Sequence, residues 1–191
     1  MAATEPIRNK RDIKAMEHYY LERGEFRNHA LVVMGVYTAL RVSDLLGLKW
    51  SDVYDFKLRR VHASIRRVEG KTGKAKTVAL HKKVARALTL LNSWQPTAPD
   101  GAVFMSRKTK QAIGRIQAYR VVKAAADAIQ IGRVSCHSLR KTFGYHAWKS
   151  GVSPAVIMEI YNHSSFAVTR RYLGISQDDK DEVYLGLDIS A

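Results

Sequence analysis

Cysteine and long apolar runs are nearly missing from this sequence, and each shortage excludes a class of protein. The single cysteine, Cys136, rules out an intrachain disulfide and a cysteine-rich zinc site. No apolar run approaches the roughly 18 residues of a membrane span, and residues 1–6 lack the basic-then-apolar layout of a signal peptide. We therefore expect a cytoplasmic protein that has no disulfides and no membrane-spanning segment.

Acidic side chains are also scarce, and this shortage has the largest consequence for function. The chain has 17 Asp and Glu against 32 Lys and Arg, which gives a net charge of +15. Such an excess attracts polyanions, so DNA or RNA is the predicted partner. Two alternatives stay open: the charge could serve solubility alone, or it could bind an anionic membrane. No Lys/Arg-rich amphipathic helix with a Trp/Phe face supports the membrane alternative.

The length and apolar content predict one packed domain that is mostly helical. At 191 residues with 46% hydrophobic side chains, the chain can bury a core without disulfides or metals. Apolar spacing predicts helices at 10–22, 27–40, 42–48, 82–94, 110–129, 138–149, from Ser153-Pro154 onward, and a last one at 166–173. The helix at 27–40 is apolar around most of its circumference, so we expect it at the centre of the core. The expected core residues of the helix at 110–129 are Ile113, Ile116, Val121, Ala124, Ala125 and Ala128.

A change in the spacing of apolar residues, from a helical period to strict alternation, predicts a small antiparallel sheet between two of these helices. Residues 61–65 alternate between apolar and polar side chains, which is typical of a strand with one buried face. Residues 69–74 contain two glycines and are predicted as a turn, and residues 76–80 return as the partner strand. Residues 49–53 could add a third strand. The sequence therefore predicts an α+β fold, mostly helical, with one small antiparallel β-sheet.

Six side chains could bind a phosphate or react with it: Arg41, Lys71, His137, Arg140, His163 and Tyr172. Guanidinium offers a planar fork that matches two phosphate oxygens, and the phenol offers an oxygen that could attack phosphorus. Each residue also has a structural alternative. Arg41 could lie on the surface or pair with Asp44, and His137 and Arg140 could serve the scaffold alone. His163 and Lys71 could be solvated loop residues, and Tyr172 could belong to the core.

In their order and spacing, the six residues resemble the active site of the tyrosine recombinases, also called the phage integrase family. The resemblance covers roughly residues 25–175. Residues 38–46, Thr-Ala-Leu-Arg-Val-Ser-Asp-Leu-Leu, are similar to the family's first-arginine motif. The match is most specific in residues 137–143, His-Ser-Leu-Arg-Lys-Thr-Phe, and in His163 followed nine positions later by Tyr172.

Two residues depart from the family pattern. Ala39 stands where a glycine is common, and Tyr161-Asn162-His163 replaces the usual Leu-Gly-His. Both departures concern the geometry of loops and leave the six candidate side chains in place.

The resemblance implies site-specific recombination or integration of DNA, without a cofactor or a metal. Tyr172 would attack a backbone phosphorus, giving a 3′-phosphotyrosyl link and a free 5′-hydroxyl. The implied roles of the others are phosphate binding (Arg41, Arg140 and His163), general base (His137) and general acid (Lys71). Two alternatives remain: a type IB topoisomerase, which has a closely similar constellation, and a basic DNA-binding module without catalysis.

The resemblance also implies a domain division and partners. Residues 1–9 would be an arm or linker, residues 10–175 the tyrosine-recombinase catalytic domain, and residues 176–191 a tail that packs on a neighbouring protomer. Tyr184 and Leu185, with Leu187, are the expected anchors of that tail. Double-stranded DNA is the expected partner, with a homo-oligomer (a tetramer) on DNA and a monomer without it. Such a protein would be bacterial or phage-encoded and associated with the nucleoid.

Two further groups of residues have less specific interpretations. Arg115, Tyr119 and Arg120, on the predicted long helix, are candidates for DNA contact, with phosphate contact favoured over base contact. The acidic residues at 178–182 could be metal ligands of a two-metal nuclease. A solvated tail is the favoured interpretation, because such ligands usually come from separate elements.

Overall fold

Helices dominate the part of the chain that the computed structural model describes: residues 4–68, 73, 75–95, 97–175 and 177–188, without the side chains of residues 177, 178 and 182. The helices in this part are α1 (Lys10–Leu21), α2 (Phe26–Tyr37), α3 (Val42–Leu46), α4 (Trp50–Val53), α5 (Lys82–Trp94), α6 (Arg115–Ala128), α7 (Cys136–Lys149), α8 (Pro154–Tyr161), α9 (Phe166–Leu173) and α10 (Gln177–Gly186). The strands are β1 (Tyr54–Asp55), β2 (Arg60–Val61), β3 (Ser64–Val68) and β4 (Ala75–Ala79). Among the described residues, no helix combines the length and the apolarity that crossing a membrane requires.

Helix α2 forms the centre of the core, as its apolar circumference predicts. Its residues from Asn28 to Val36 are buried, and it packs against α1, α5 and α7. Helix α1 contributes a buried face that includes Met16 and Tyr20, and the Tyr20 hydroxyl donates a hydrogen bond of 2.6 Å to the Val121 carbonyl of α6. Helix α7 and the loop that follows α2 are therefore positioned by the same core helix.

The strands form two antiparallel pairs. β3 pairs with β4 from Ser64–Ala79 to Val68–Ala75, and β1 pairs with β2. The predicted third strand at residues 49–53 is wrong. The Lys49 backbone N–H donates a hydrogen bond of 2.8 Å to the Asp52 carboxylate, and this contact starts the short helix α4.

Helix α6 begins at Arg115, later than the predicted residue 110. Residues 105–112 form a turn instead, closed by an antiparallel bridge between Met105 and Ala112. The buried face of α6 is Ala118, Val121, Val122, Ala125 and Ala126, a set with the spacing of one helical face. The predictions that Ile116, Ala124 and Ala128 belong to the core are wrong, since these three residues are exposed.

The two ends of the described chain meet beside α7. The buried Ile7 donates a backbone hydrogen bond of 2.9 Å to a threonine hydroxyl of α7, and Arg8 donates one of 2.8 Å to the Gly174 carbonyl. The segment at 166–173 is not the last helix, because α10 follows it. Asp179 of α10 is buried and forms ion pairs with Lys149 at 2.8 Å and with Arg8 at 3.7 Å. The prediction of a solvated acidic tail is therefore wrong for Asp179.

Candidate active site

Helix α7 brings His137 and Arg140 to one face. Ser135 caps its N-terminus by accepting a hydrogen bond of 3.2 Å from the His137 backbone N–H. This cap extends the helix back to Cys136, two residues before its predicted start at Ser138. Residues three apart on a helix are neighbours, so the imidazole and the guanidinium approach the same region.

Arg140 is the buried cation of the site, with 2% of its surface exposed. Its guanidinium donates hydrogen bonds to the backbone carbonyl of Ala39 and, at 3.1 Å, to that of Tyr161. The guanidinium carbon lies 4.7 Å from the ring centroid of Tyr161 and 5.9 Å from that of Tyr172. A buried cation is costly unless hydrogen bonds compensate it. These contacts therefore hold a fixed positive charge next to the phenol of Tyr172.

Tyr172 lies between the two predicted histidines. Its ring centroid is 4.4 Å from that of His163 and 4.9 Å from that of His137, and both contacts are edge-on. The ring of Tyr161 packs against it with a centroid distance of 5.1 Å, and the Lys141 ammonium is 6.0 Å from its centroid. Two imidazoles and two cations thus surround one phenol, an arrangement that favours a bound anion.

His163 is oriented by the helix that carries Tyr172. Its Nδ1 shares a hydrogen bond of 3.0 Å with the Thr169 hydroxyl, and Thr169 is fully buried in α9. Thr169 precedes Tyr172 by three residues, so the two lie on the same side of α9. A movement of α9 would therefore displace the phenol and the imidazole together.

Arg41 approaches the same region from the loop after α2. It immediately precedes α3, and its carbonyl accepts the first hydrogen bonds of that helix. Burial first, and then the positive charges of Lys141, Arg140 and Arg41, lower the pKa of His137, although part of this residue remains exposed to solvent. A lowered pKa keeps the imidazole neutral near pH 7, which is the state that accepts a proton.

Both departures from the family pattern adopt left-handed backbone. Ala39 has a φ of 54°, and Asn162, which ends α8, has a φ of 52° and a ψ of 44°. Glycine adopts this region without strain, and asparagine tolerates it better than most residues. Both loops therefore keep a backbone that glycine would also allow, and in this conformation the Ala39 carbonyl accepts a hydrogen bond from Arg140.

Lys71 lies outside the described residues, so its position relative to Tyr172 stays a prediction. The strand that follows it contacts α8, since the Lys76 ammonium of β4 donates a hydrogen bond of 3.4 Å to the Ile160 carbonyl. The three candidates for DNA contact lie on the exposed side of α6: Arg115, Tyr119 and Arg120.

Sequence reasoning did not give a role to three residues that complete the cluster: Lys141, Tyr161 and Thr169. The Tyr161 hydroxyl donates a hydrogen bond of 2.6 Å to the Arg140 carbonyl, so it anchors the turn of α7 that carries the guanidinium. Two of these residues had a local indication in the sequence. Lys141 directly follows Arg140, and Thr169 stands one helical turn before Tyr172.

A buried arginine, two imidazoles and one phenol on this mostly helical scaffold define a candidate site for tyrosine-dependent phosphoryl transfer. The Phage integrase family model matches residues 9–178, which is most of the chain. The chain belongs to the phage integrase family, and the prediction of this family is confirmed.

Relatives and solved structures agree with this assignment. The Probable integrase/recombinase YoeC of Bacillus subtilis (strain 168) is 32% identical over 184 residues, which cover 96% of this chain and 97% of YoeC. The Tyrosine recombinase XerC of Pelobacter propionicus is 30% identical over 160 residues, which cover 83% of this chain but only 51% of XerC. The crystal structure of XerA recombinase has a TM-score of 0.76 at 23% identity and covers 97% of this chain and 65% of the XerA chain. This likeness confirms the predicted α+β, mostly helical fold.

Proposed function

We propose that this chain is the catalytic domain of a site-specific DNA recombinase or integrase that acts through a covalent 3′-phosphotyrosyl intermediate. The observation that carries the proposal is the position of Tyr172, between His137 and His163 and 5.9 Å from the buried guanidinium of Arg140. Relatives named integrase or recombinase support the same activity. A structure of XerH recombinase bound to its difH substrate, with a TM-score of 0.75 at 19% identity, supports DNA as the partner.

In this proposal the Tyr172 oxygen attacks a backbone phosphorus in line with the 5′ oxygen. The bond from oxygen to phosphorus forms as the bond from phosphorus to the 5′ oxygen breaks. The phenol proton passes to the neutral His137, and the leaving 5′ oxygen takes a proton from Lys71. Because the phosphoester energy is kept in the link to the protein, a 5′-hydroxyl can reverse the step and rejoin a strand.

The positive side chains neutralise the charge that develops on the phosphate. Arg41 and Arg140 bind the non-bridging oxygens, and His163 donates a hydrogen bond to the same group. Each such contact is typically worth about 10²–10³ in rate. The chain's own cations supply this charge, so the proposed reaction requires neither a metal nor a nucleotide cofactor.

A nicked suicide substrate tests the proposed activity. The protein should form a covalent adduct with DNA, visible as a band of increased mass in a denaturing gel. Tyr172→Phe should abolish the adduct, whereas Tyr19→Phe, which removes a hydroxyl outside the cluster, should not. An adduct that persists in Tyr172→Phe would contradict the proposal. Relaxation of a plasmid without any defined site would favour the topoisomerase alternative.

We further propose that the protein binds double-stranded DNA as a homo-oligomer, a tetramer, is a monomer without DNA, and associates with the nucleoid. Four apolar side chains near the end of the described chain are strongly exposed: Val183, Tyr184, Leu185 and Leu187. A group of exposed apolar side chains indicates a contact surface, so residues 176–191 would pack on a neighbouring protomer.

Deleting residues 178–191 should reduce cooperative assembly on DNA. Leu185→Ser should reduce it as well, although this variant keeps Asp179 and the rest of the tail. Unchanged cooperativity in both would refute the role of the tail.

A further inference from the structure

A cationic cavity lies at the start of α6, away from the cluster around Tyr172. It has a volume of about 750 Å³ and is bounded by the first residues of α2, the end of α5 and residues 105–114. Three cations line it: Arg27, Arg107 and Lys108. Arg41 follows the opposite end of α2, and a helix of 12 residues is about 18 Å long. The cavity and the Tyr172 cluster are therefore distinct sites.

The guanidinium of Arg27 is held rigidly in this cavity. It donates hydrogen bonds of 3.0 and 2.8 Å to the Asn28 side-chain oxygen and one of 3.1 Å to the Met105 carbonyl. Burial, followed by the charge of Arg107, lowers the pKa of Arg27. Glu25 also lines the cavity, but its carboxylate accepts a hydrogen bond of 2.5 Å from the Asn28 amide. A bound anion would relieve the repulsion between the two guanidiniums.

Arg107 is positioned by an aromatic ring. Its guanidinium carbon lies 4.1 Å from the ring centroid of Trp94, and Trp94 packs edge-on against Phe26. Because both arginines are ordered before any ligand binds, little side-chain entropy remains to be lost on binding.

Neutral donors complete the cavity. Gln95 lines it and is only 8% exposed, and within the described residues its side-chain nitrogen has no hydrogen-bond partner. Gly114 is the N-cap residue of α6 and provides no side-chain cap, and no neighbouring atom lies within 4 Å of the position that a Cβ would take there. The backbone N–H groups at such a helix start carry partial positive charge and favour anions.

We propose that this cavity binds one non-scissile phosphate of the DNA backbone, as a second phosphate site beside that of the reacting group. The inference rests on the proposed function, which makes DNA the substrate. Exposed Arg115 and Arg120 extend the positive surface from the cavity along α6. A backbone that follows α6 would therefore place successive phosphates on these side chains and one in the cavity.

The salt dependence of DNA binding tests the site through Arg107→Ala. The logarithm of the DNA affinity falls with the logarithm of salt concentration by about 0.9 per phosphate contact, so this variant should lower the slope by about that amount. Arg11→Ala, which removes an exposed arginine of α1 outside the cavity, should leave the slope unchanged. Equal slopes in both variants and the wild type would overturn the proposal.

Titration with inorganic phosphate separates this site from the proposed function. Phosphate should shift the amide NMR resonances of Gly114 and Gln117 in the wild type and not in Arg107→Ala. If phosphate shifts these resonances in the wild type but Arg107→Ala leaves the salt slope unchanged, the cavity binds free phosphate and the DNA contact is overturned. If phosphate shifts neither resonance in the wild type and Arg107→Ala leaves the salt slope unchanged, the site itself is overturned. A reduced slope without any Tyr172 adduct would instead refute the proposed reaction while supporting this site.

Discussion

Backbone carbonyls hold the guanidinium of Arg140 beside Tyr172. Arg140 donates to the carbonyls of Ala39 and Tyr161, and the Tyr161 hydroxyl donates back to the Arg140 carbonyl. Carbonyl acceptors do not titrate, so these hydrogen bonds do not depend on the protonation of an acid. In the proposed reaction the phenol proton passes to His137, whose pKa is lowered by its surroundings.

The lowered pKa of His137 predicts the pH dependence of strand cleavage. Burial and then the neighbouring cations hold this pKa below its ordinary value of about 6.5. The neutral base therefore predominates above about pH 6.5 and is lost as the pH falls through the lowered pKa. We expect the rate of adduct formation on the suicide substrate to decline at acid pH with a midpoint below about pH 6.5.

His137→Gln supplies the control for this pH profile. Removing a general base typically costs about 10²–10⁴ in rate, and the decline at acid pH should disappear together with the imidazole. A decline with its midpoint above about pH 6.5, or one that persists in His137→Gln, would show that another group limits the reaction.

Ala39 offers a second prediction at this scale, because its φ of 54° is unfavourable for side chains. Ala39→Val should destabilise the protein by about 2–4 kcal/mol, since a β-branched residue is strained there and the site is fully buried. Ala39→Gly relieves the strain but loses a buried methyl group and makes the unfolded chain more flexible, so it should change stability by less than about 1 kcal/mol. Urea denaturation measures both changes. If both variants lose the same free energy of unfolding, the backbone conformation at Ala39 does not determine which residues are tolerated there.

At the scale of helices and strands, prediction succeeded where apolar periodicity decides the structure. Helix α5 was predicted at 82–94 and occupies Lys82–Trp94, and α8 begins at Pro154, directly after Ser153, as predicted. Prediction failed where a local polar contact or a partner distant in sequence determines the secondary structure. The Asp52 carboxylate turns residues 49–53 into a helix, and α10 is anchored by ion pairs between Asp179 and residues distant in sequence.

The candidate site shows the same division between local and distant information. The three-residue spacing of His137 and Arg140 could be read from the sequence, although the predicted helix began at Ser138 and left His137 out. Nothing local indicated that Arg41 approaches them, and the expectation that they meet came from the resemblance to a family. Tyr161 was recognised as a departure, but its bond to the Arg140 carbonyl depends on how α7 and α8 pack.

The packing of α7 against α8 gives a prediction at this scale. A Cβ at Gly144 would lie 2.4 Å from the Tyr161 hydroxyl oxygen and 2.8 Å from its ring. On an open helix, Gly→Ala stabilises by roughly 0.5–1 kcal/mol, whereas Gly144→Ala should destabilise by about 1–3 kcal/mol because of the clash. In the Tyr161→Leu background the same change should be tolerated, so a double-mutant cycle should give a coupling above about 1 kcal/mol. Additive effects would contradict this packing.

For the whole molecule, the contact between the two chain ends matters because it lies directly beside the helix of Tyr172. Arg8 donates a hydrogen bond to the carbonyl of Gly174, the residue that ends α9, and forms an ion pair with Asp179 of α10. Lys149, at the end of α7, pairs with the same carboxylate. The N-terminal residues, the histidine-bearing helix and the tail are therefore joined through one buried acid.

Asp179→Asn should release α10 while leaving the core intact. The variant removes a buried charge that two partly exposed cations share, and these cations can turn to solvent, so the loss should be local. We expect the backbone amides of α10 to exchange with solvent deuterium roughly ten times faster, with those of α2 unchanged. Asp181→Asn changes an exposed acid of the same helix and should leave exchange in α10 near the wild-type rate. Equal exchange in the two variants would show that the ion pairs of Asp179 do not hold the tail against the domain.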